Sequence, residues 1–270
     1  MTLKEVRECS LNILLFVDKI CKEQGLRYYL AAGTLLGAIR HGGFIPWDDD
    51  IDIMMPRKDY EKLIQNFPAN ETYAFLSLNN NSNIPYAYGK VVDKRTRKLE
   101  LLRSKYQVIG VDIDVFPIDN YPNDLDDAIA WCNEIKNIQL RANFISATYS
   151  KGRNILRTIM RNLIVLFYHV LDYIGIFTVN KSILKLNDLS QKFNDIETDY
   201  CGIAAISSYG VKKRNHKKIY EDSIDVSFES YKFPAPIGYV DYLIDYYGDY
   251  MTLPPIEQRK THHSFVAYWK

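Results

Sequence analysis

Gly33-Thr-Leu-Leu-Gly-Ala-Ile-Arg-His-Gly-Gly-Phe-Ile-Pro-Trp-Asp-Asp-Asp-Ile-Asp52 is the most informative stretch of this 270-residue chain. A strand is expected on each side of it, Arg27 to Ala31 before and Ile51 to Met55 at its end, the second stopped by Pro56. Between them Gly33-Thr34 reads as a turn into a short helix, Leu35 to Arg40, followed by a loop with Gly42, Gly43 and Pro46. A glycine at a strand-to-helix junction lets the backbone approach a phosphate, and the helix start offers free N–H groups. The stretch ends with Asp48, Asp49, Asp50 and Asp52. Such crowded carboxylates repel one another unless compensated. Strand alternation would put Asp48, Asp50 and Asp52 on one face and Ile51 and Ile53 on the other. Oxygen-only ligands select a hard cation, Mg²⁺ or Mn²⁺. An exposed acidic loop is the bland alternative. A calcium loop fails, because Ile53 stands where glycine is required and Asp59 where a bidentate glutamate is required.

Working outward, Arg57 to Phe67 reads as a helix, and Tyr86 to Asp93 and Val111 to Phe116 as strands, the latter closed by Pro117. The second strand carries Asp112 and Asp114 on one face. Two acid pairs on separate strands suit a two-metal centre, against the alternative of a capped or edge-strand acid. Thr2 and Glu5 have capping-box spacing, and Leu3, Val6, Ile13, Phe16, Val17 and Ile20 form an apolar helical stripe behind them. From about Asp124 to Thr198 the chain looks helical almost throughout. Ser223 to Phe228 reads as a strand and Gly238 to Tyr247 as a helix. The expected architecture is α/β (α+β), one integrated unit: a mixed-sheet core with its N-terminal helix (1–120), a helical insertion (121–200) and a C-terminal part packing on the core (201–270).

The chain is 47% hydrophobic and 25% charged, which is globular, and 34 basic against 33 acidic residues exclude a globally basic nucleic-acid binder. Cys9, Cys21, Cys132 and Cys201 are scattered without a CxxC, as suits a reducing compartment. The first residues lack the apolar region of a signal peptide. Together these point to the cytoplasm. Residues 163–179 are strongly apolar yet carry His169 and Asp172 near their middle, and Arg153, Arg157 and Arg161 precede them. A charge at bilayer centre costs roughly 3 kcal/mol or more, so a buried or membrane-surface helix is expected, and with the latter comes peripheral contact with the membrane's inner face. The basic run Lys212 to Lys218 is a solvated loop or a landing site for an anionic lipid or glycan. The 21 tyrosines either fill the core or meet flat polar ligands.

Gly-Thr, then acid-hydrophobic-acid, then a third acid on a later strand is the pattern of the nucleotidyltransferase fold. Over Gly33 to Asp52 the chain resembles the LicD family of phosphocholine transferases, to which fukutin-related proteins are distantly similar. Gly110-Val-Asp-Ile-Asp-Val-Phe-Pro-Ile-Asp119 and Tyr247-Gly-Asp-Tyr-Met-Thr-Leu-Pro-Pro255, with Arg259, His262 and His263, match as well. Residues 124–200 carry no matching motif. The resemblance implies transfer of a substituted phosphate from a CDP-activated donor such as CDP-choline to a hydroxyl of a cell-surface or lipid-linked glycan, lipopolysaccharide or teichoic acid, with release of CMP. It implies Asp50 and Asp52 as paired metal ligands, Asp48 as an additional acid, and Asp114 as the third acid with Asp112 its rival. Gly33, Thr34, Arg40, His41, Trp47 and Lys90 become donor-binding candidates, and Arg259, His262 and His263 substrate contacts. Trp47, Tyr86, Tyr88 and Tyr106 are candidates for an aromatic cage around a quaternary ammonium. The rival readings are a nucleotide-sugar glycosyltransferase, a true nucleotidyltransferase and a non-catalytic glycan binder.

Overall fold

The computed structural model describes residues 1–78, 85–100, 108–149, 151, 154–206, 208, 210–261 and 265–270. In chain order the elements are α1 (Leu3–Gln24), β1 (Tyr29–Leu30), α2 (Ala32–His41), β2 (Asp52–Pro56), α3 (Arg57–Asn66), β3 (Tyr73–Leu76), β4 (Gly89–Asp93), β5 (Thr96–Glu100), β6 (Val108–Ile109) and β7 (Asp112–Tyr121). Three helices follow, α4 (Leu125–Ser146), α5 (Ile155–Tyr173) and α6 (Val179–Ser190), then β8 (Tyr200–Gly202), β9 (Asn215–His216), β10 (Ser223–Phe228), β11 (Tyr231–Pro236), α7 (Tyr239–Tyr247) and β12 (Phe265–Trp269). This is a mixed α/β architecture of the α+β kind.

The central sheet runs β1-β2-β7-β4-β3, with β8 and β9 continuing from β7. Among the described residues only β2 and β7 pair in parallel, and their register sets Asp52 beside Asp114. Strand β4 runs antiparallel on the other side of β7 and sets Lys90 beside Asp114. Ile51, Ile53, Ile113 and Val115 are fully buried, so the apolar residues of these strands anchor the sheet while the acids between them turn away from the core. Helix α1 has its capping box, Thr2 and Glu5 bonding reciprocally, and it lays Val6, Ile13, Val17 and Ile20 into the interior while Leu3 stays exposed. The α4–α6 helices build a second core that reaches the sheet: the Trp131 ring meets Tyr121 of β7 edge-on at 4.8 Å.

Four expectations are corrected. Strand β7 continues through Pro117 to Tyr121 instead of closing at Phe116. The Asp114 N–H donates to Ile51 on the β2 side, so the missing N–H of Pro117 falls on the opposite side, where pairing with β4 has ended at Val115. Strand β2 begins at Asp52, leaving Asp48 and Asp50 in irregular backbone ahead of it. Gly33 and Thr34 lie within the first turn of α2, which starts at Ala32, instead of in a turn before it. Of the two alternatives for α5, buried or membrane-surface, the buried one does not hold, since of its residues only Val165 is buried.

Candidate active site

An open cleft of about 1110 Å³ lies along one face of α2, from Ala32 and Gly33 to Arg40, and over the acid loop and the β2–β7 pair. Asp48, Asp50, Asp52 and Asp114 all line it, together with Gly33, Arg40, Trp47, Tyr88 and Tyr247. The alternation expected of a strand therefore survives in irregular backbone: Asp48, Asp50 and Asp52 share the cleft, while Ile51 and Ile53 are buried.

Hydrogen bonds from three places, and the space left by a glycine, hold the acids in place. The Thr34 hydroxyl accepts from the Asp52 N–H at 2.8 Å, tying α2 to the start of β2. The guanidinium of Arg7, on α1, donates to the carbonyls of Ile45, Pro46 and Asp48 at 2.6–3.0 Å and clamps the turn that carries the acids. Asp49 is buried and accepts from the Thr261 hydroxyl at 2.8 Å, fastening the C-terminal segment to the loop. Gly33 leaves the room Asp48 occupies, since a Cβ at position 33 would lie 2.6 Å from Asp48 Oδ2.

The electrostatics separate the acids. Withdrawal from water, then repulsion from Asp50, Asp114 and Asp48, pushes the Asp52 carboxyl well above the usual range, and Lys90 does not offset this. Burial also raises Asp114, only partly countered by Lys90. Burial acts upward on Asp112 too, but Lys90 and Lys98 outweigh it and bring that carboxyl down to about 2. Lys90 Nζ lies 2.6 Å from Asp112 and also bonds Asp114, and Lys98 Nζ lies 2.7 Å from the other Asp112 oxygen. Asp112 is thus buried between two lysines outside the cleft lining, whereas Asp114 faces the cleft beside Asp52.

The donor-binding candidates divide in the same way. Thr34 is buried and spends its hydroxyl on Asp52. Lys90 is buried against two carboxylates and under the Tyr86 and Tyr88 rings, away from the cleft lining where a phosphate contact was expected. Arg40 lines the cleft and donates to the carbonyl of Tyr250 at 2.8 Å, holding the 250–252 segment at the rim. Trp47 also lines the cleft, with the His41 ring edge-on to it at 6.2 Å and the Arg259 guanidinium 5.7 Å from its ring centre. Burial and the neighbouring Arg40 both lower the pKa of His41. His262, His263 and Tyr106 lie outside the described residues.

The domain family described as LicD/FKTN/FKRP, nucleotidyltransferase domain, matches residues 25–146. The chain is 30% identical over 274 positions to the lipopolysaccharide cholinephosphotransferase LicD of Haemophilus influenzae, across 99% of this chain and 98% of that protein. The chain belongs to the LicD family. It is an enzyme, a LicD-type transferase. A shorter likeness, 50% over 38 residues, covers 14% of this chain and 8% of the human ribitol 5-phosphate transferase FKRP. Another, 39% over 57 residues, covers 21% of this chain and 21% of an uncharacterised Rickettsia prowazekii protein.

This LicD-family site fits a divalent metal on its own chemistry. Carboxylate oxygens of Asp48, Asp49 and Asp50 lie within 4.8 Å of one another, and Asp52 carries a charge its surroundings disfavour. An all-oxygen set of this kind suits a hard cation. Asp49 and Arg7 were not singled out from the sequence. Asp49 stood within the acid run as a residue on the wrong face, and nothing in the sequence of α1 marks Arg7 as reaching a loop some forty residues away.

Proposed function

We propose that this LicD-family transferase moves phosphocholine, or a similar phosphoalcohol, from a CDP-activated donor to a hydroxyl of a cell-surface glycan and releases CMP. The observation that carries the reading is the convergence of Asp48, Asp50, Asp52 and Asp114 from one loop and two parallel strands on a single cleft. The near full-length likeness to a lipopolysaccharide cholinephosphotransferase supports the phosphoalcohol and the glycan.

Asp48, Asp50 and Asp52 would hold Mg²⁺ or Mn²⁺, with Asp49 close by. Bound there, the ion would neutralise the donor pyrophosphate and the charge developing on the leaving CMP. Arg40 orders the rim segment over the donor, and Trp47 offers a flat apolar face at the mouth. Asp114, its pKa raised by burial from the ordinary aspartate value, takes the proton of the attacking hydroxyl. The acceptor oxygen forms a bond to the phosphorus as the bond to CMP breaks, and the electron pair leaves with CMP. Lys90 holds Asp114 from behind and keeps it oriented through this exchange. The four free cysteines agree with a cytoplasmic place of action.

A donor panel tests the reading. The chain is incubated with Mg²⁺ and CDP-choline, CDP-ethanolamine, CDP-glycerol or CDP-ribitol, with and without extracted surface glycan. Acceptor-dependent CMP release from one of them is expected. UDP release from a UDP-sugar, or nucleotide found attached to the product, would assign the site to one of the rival chemistries.

A further inference from the structure

Helix α5 wears its apolar face outward. Ile155, Ile159, Leu163, Leu166, Phe167 and Val170 recur at three- and four-residue spacing and are 48–73% exposed. The polar side of the same helix is the one turned inward. Arg161 donates to the Thr148 carbonyl at 3.0 Å, His169 Nε2 lies 3.1 Å from the Ala147 carbonyl, and Tyr168 stacks on Phe144 of α4 with ring centres 5.7 Å apart. The apolar surface continues past the helix through Ile174 and Ile176, both 56% exposed. A soluble helix normally presents the reverse arrangement, and an apolar surface this continuous marks a docking face.

We propose that this face binds an anionic membrane surface, with α5 lying in the plane of the headgroups. No helix among the described residues is long and apolar enough to cross a membrane, so the helix lies on the bilayer instead of spanning it. Charge selects the lipid. Between Ser146 and Lys181 the sequence holds Lys151, Arg153 and Arg157, besides the inward-turned Arg161, against the single acid Asp172. Lys151 and Arg157 are exposed, and Arg153 lies outside the described residues. Basic residues beside an apolar helical face are drawn to anionic headgroups while the apolar side chains enter the acyl boundary. A second copy of the chain would instead bring two such faces together, with no acid on either exposed arc to meet the bases. The inference goes beyond the transfer reaction and does not depend on it.

Vesicle flotation of the full chain tests it, with phosphatidylcholine alone and with phosphatidylcholine containing phosphatidylglycerol, in the absence of donor and acceptor. Binding is expected to the anionic vesicles and to weaken with salt. The Leu163→Glu/Phe167→Glu variant should lose about tenfold or more in binding, with an unchanged circular dichroism spectrum because both positions face solvent. Arg157→Glu, which touches no apolar contact, should weaken binding separately. Failure to float with either vesicle would overturn the proposal, as would binding indifferent to all three substitutions. So would a dimer in sedimentation equilibrium that Leu163→Glu/Phe167→Glu dissociates, which would identify a second copy as the occupant.

Discussion

The Asp52 N–H donates to the Thr34 hydroxyl at 2.8 Å, and this bond joins the first turn of α2 to the first residue of the acid-bearing strand. The threonine expected to contact the donor also holds the backbone of a carboxylate-bearing residue. Thr34→Val keeps the shape and orphans the Asp52 N–H, which costs about 1–3 kcal/mol when buried. Turnover should fall by more than the thermal midpoint suggests, and Thr34→Ser should restore it. Equal activity in the Val and Ser variants would remove the role.

Two glycines of the same segment should behave differently. At Gly33 the obstacle to a Cβ is the end of the Asp48 side chain, which can swing aside. Gly33→Ala should therefore fold normally and lose metal affinity, read as a higher Mg²⁺ concentration for half-maximal activity. At Gly37 the obstacle is the backbone carbonyl of Gly43, which cannot move alone. Gly37→Ala should lower the melting temperature as well, as strained core sites do.

The acid loop was readable in advance because residue type and spacing alone state that four carboxylates must be compensated. Its backbone was not. Alternation predicts which side chains share a face, and Asp48, Asp50 and Asp52 do share one, but the strand that would enforce it starts only at Asp52. Asp112 and Asp114 look identical in sequence, each between apolar neighbours. Lys90 on β4 bonds both; what separates them is Lys98 on β5, which adds a second ammonium at Asp112, and the parallel arrival of β2, which sets Asp52 beside Asp114. Long-range pairing of this kind leaves no local signature. Helix α5 shows the converse: its apolar content was plain, but only packing against α4 reveals which side faces out.

Removal of the metal set should abolish activity without unfolding. Asp52→Asn removes a group whose charge burial and the neighbouring acids disfavour, and Asp50→Asn removes one of those neighbours, so stability should hold or rise slightly. Turnover should vanish in both, and chelation of the wild type should do the same, reversed by Mg²⁺ or Mn²⁺. An active Asp52→Asn enzyme still dependent on metal would contradict the assignment.

Lys90 separates structure from catalysis. Its ammonium is buried and bonded to both Asp112 and Asp114. Lys90→Met should cost about 3–5 kcal/mol, because two carboxylates are left in the interior with Lys98 as their remaining counter-charge. Urea denaturation measures it. A surface-exposed donor ligand at this position would instead raise KM with an unchanged denaturation midpoint.

The acid side of the stability profile should depend on Asp93, at the end of β4 and remote from the cleft. Its carboxylate is fully buried and opposed by burial, yet the Arg95 side chain at 2.6 and 3.0 Å, the Arg95 N–H at 2.9 Å and the Cys9 thiol bring its pKa below the ordinary value. A carboxylate whose pKa is lower folded than unfolded contributes stability above its unfolded pKa, near 4, and loses it as pH falls through the folded value. Asp93→Asn cannot ionise, so it should be less stable than wild type at pH 7, and the gap in urea midpoint should narrow steadily below about pH 4. A gap that stays constant from pH 7 to pH 3 would mean that the hydrogen bonds alone, and not the charge, account for what Asp93 contributes.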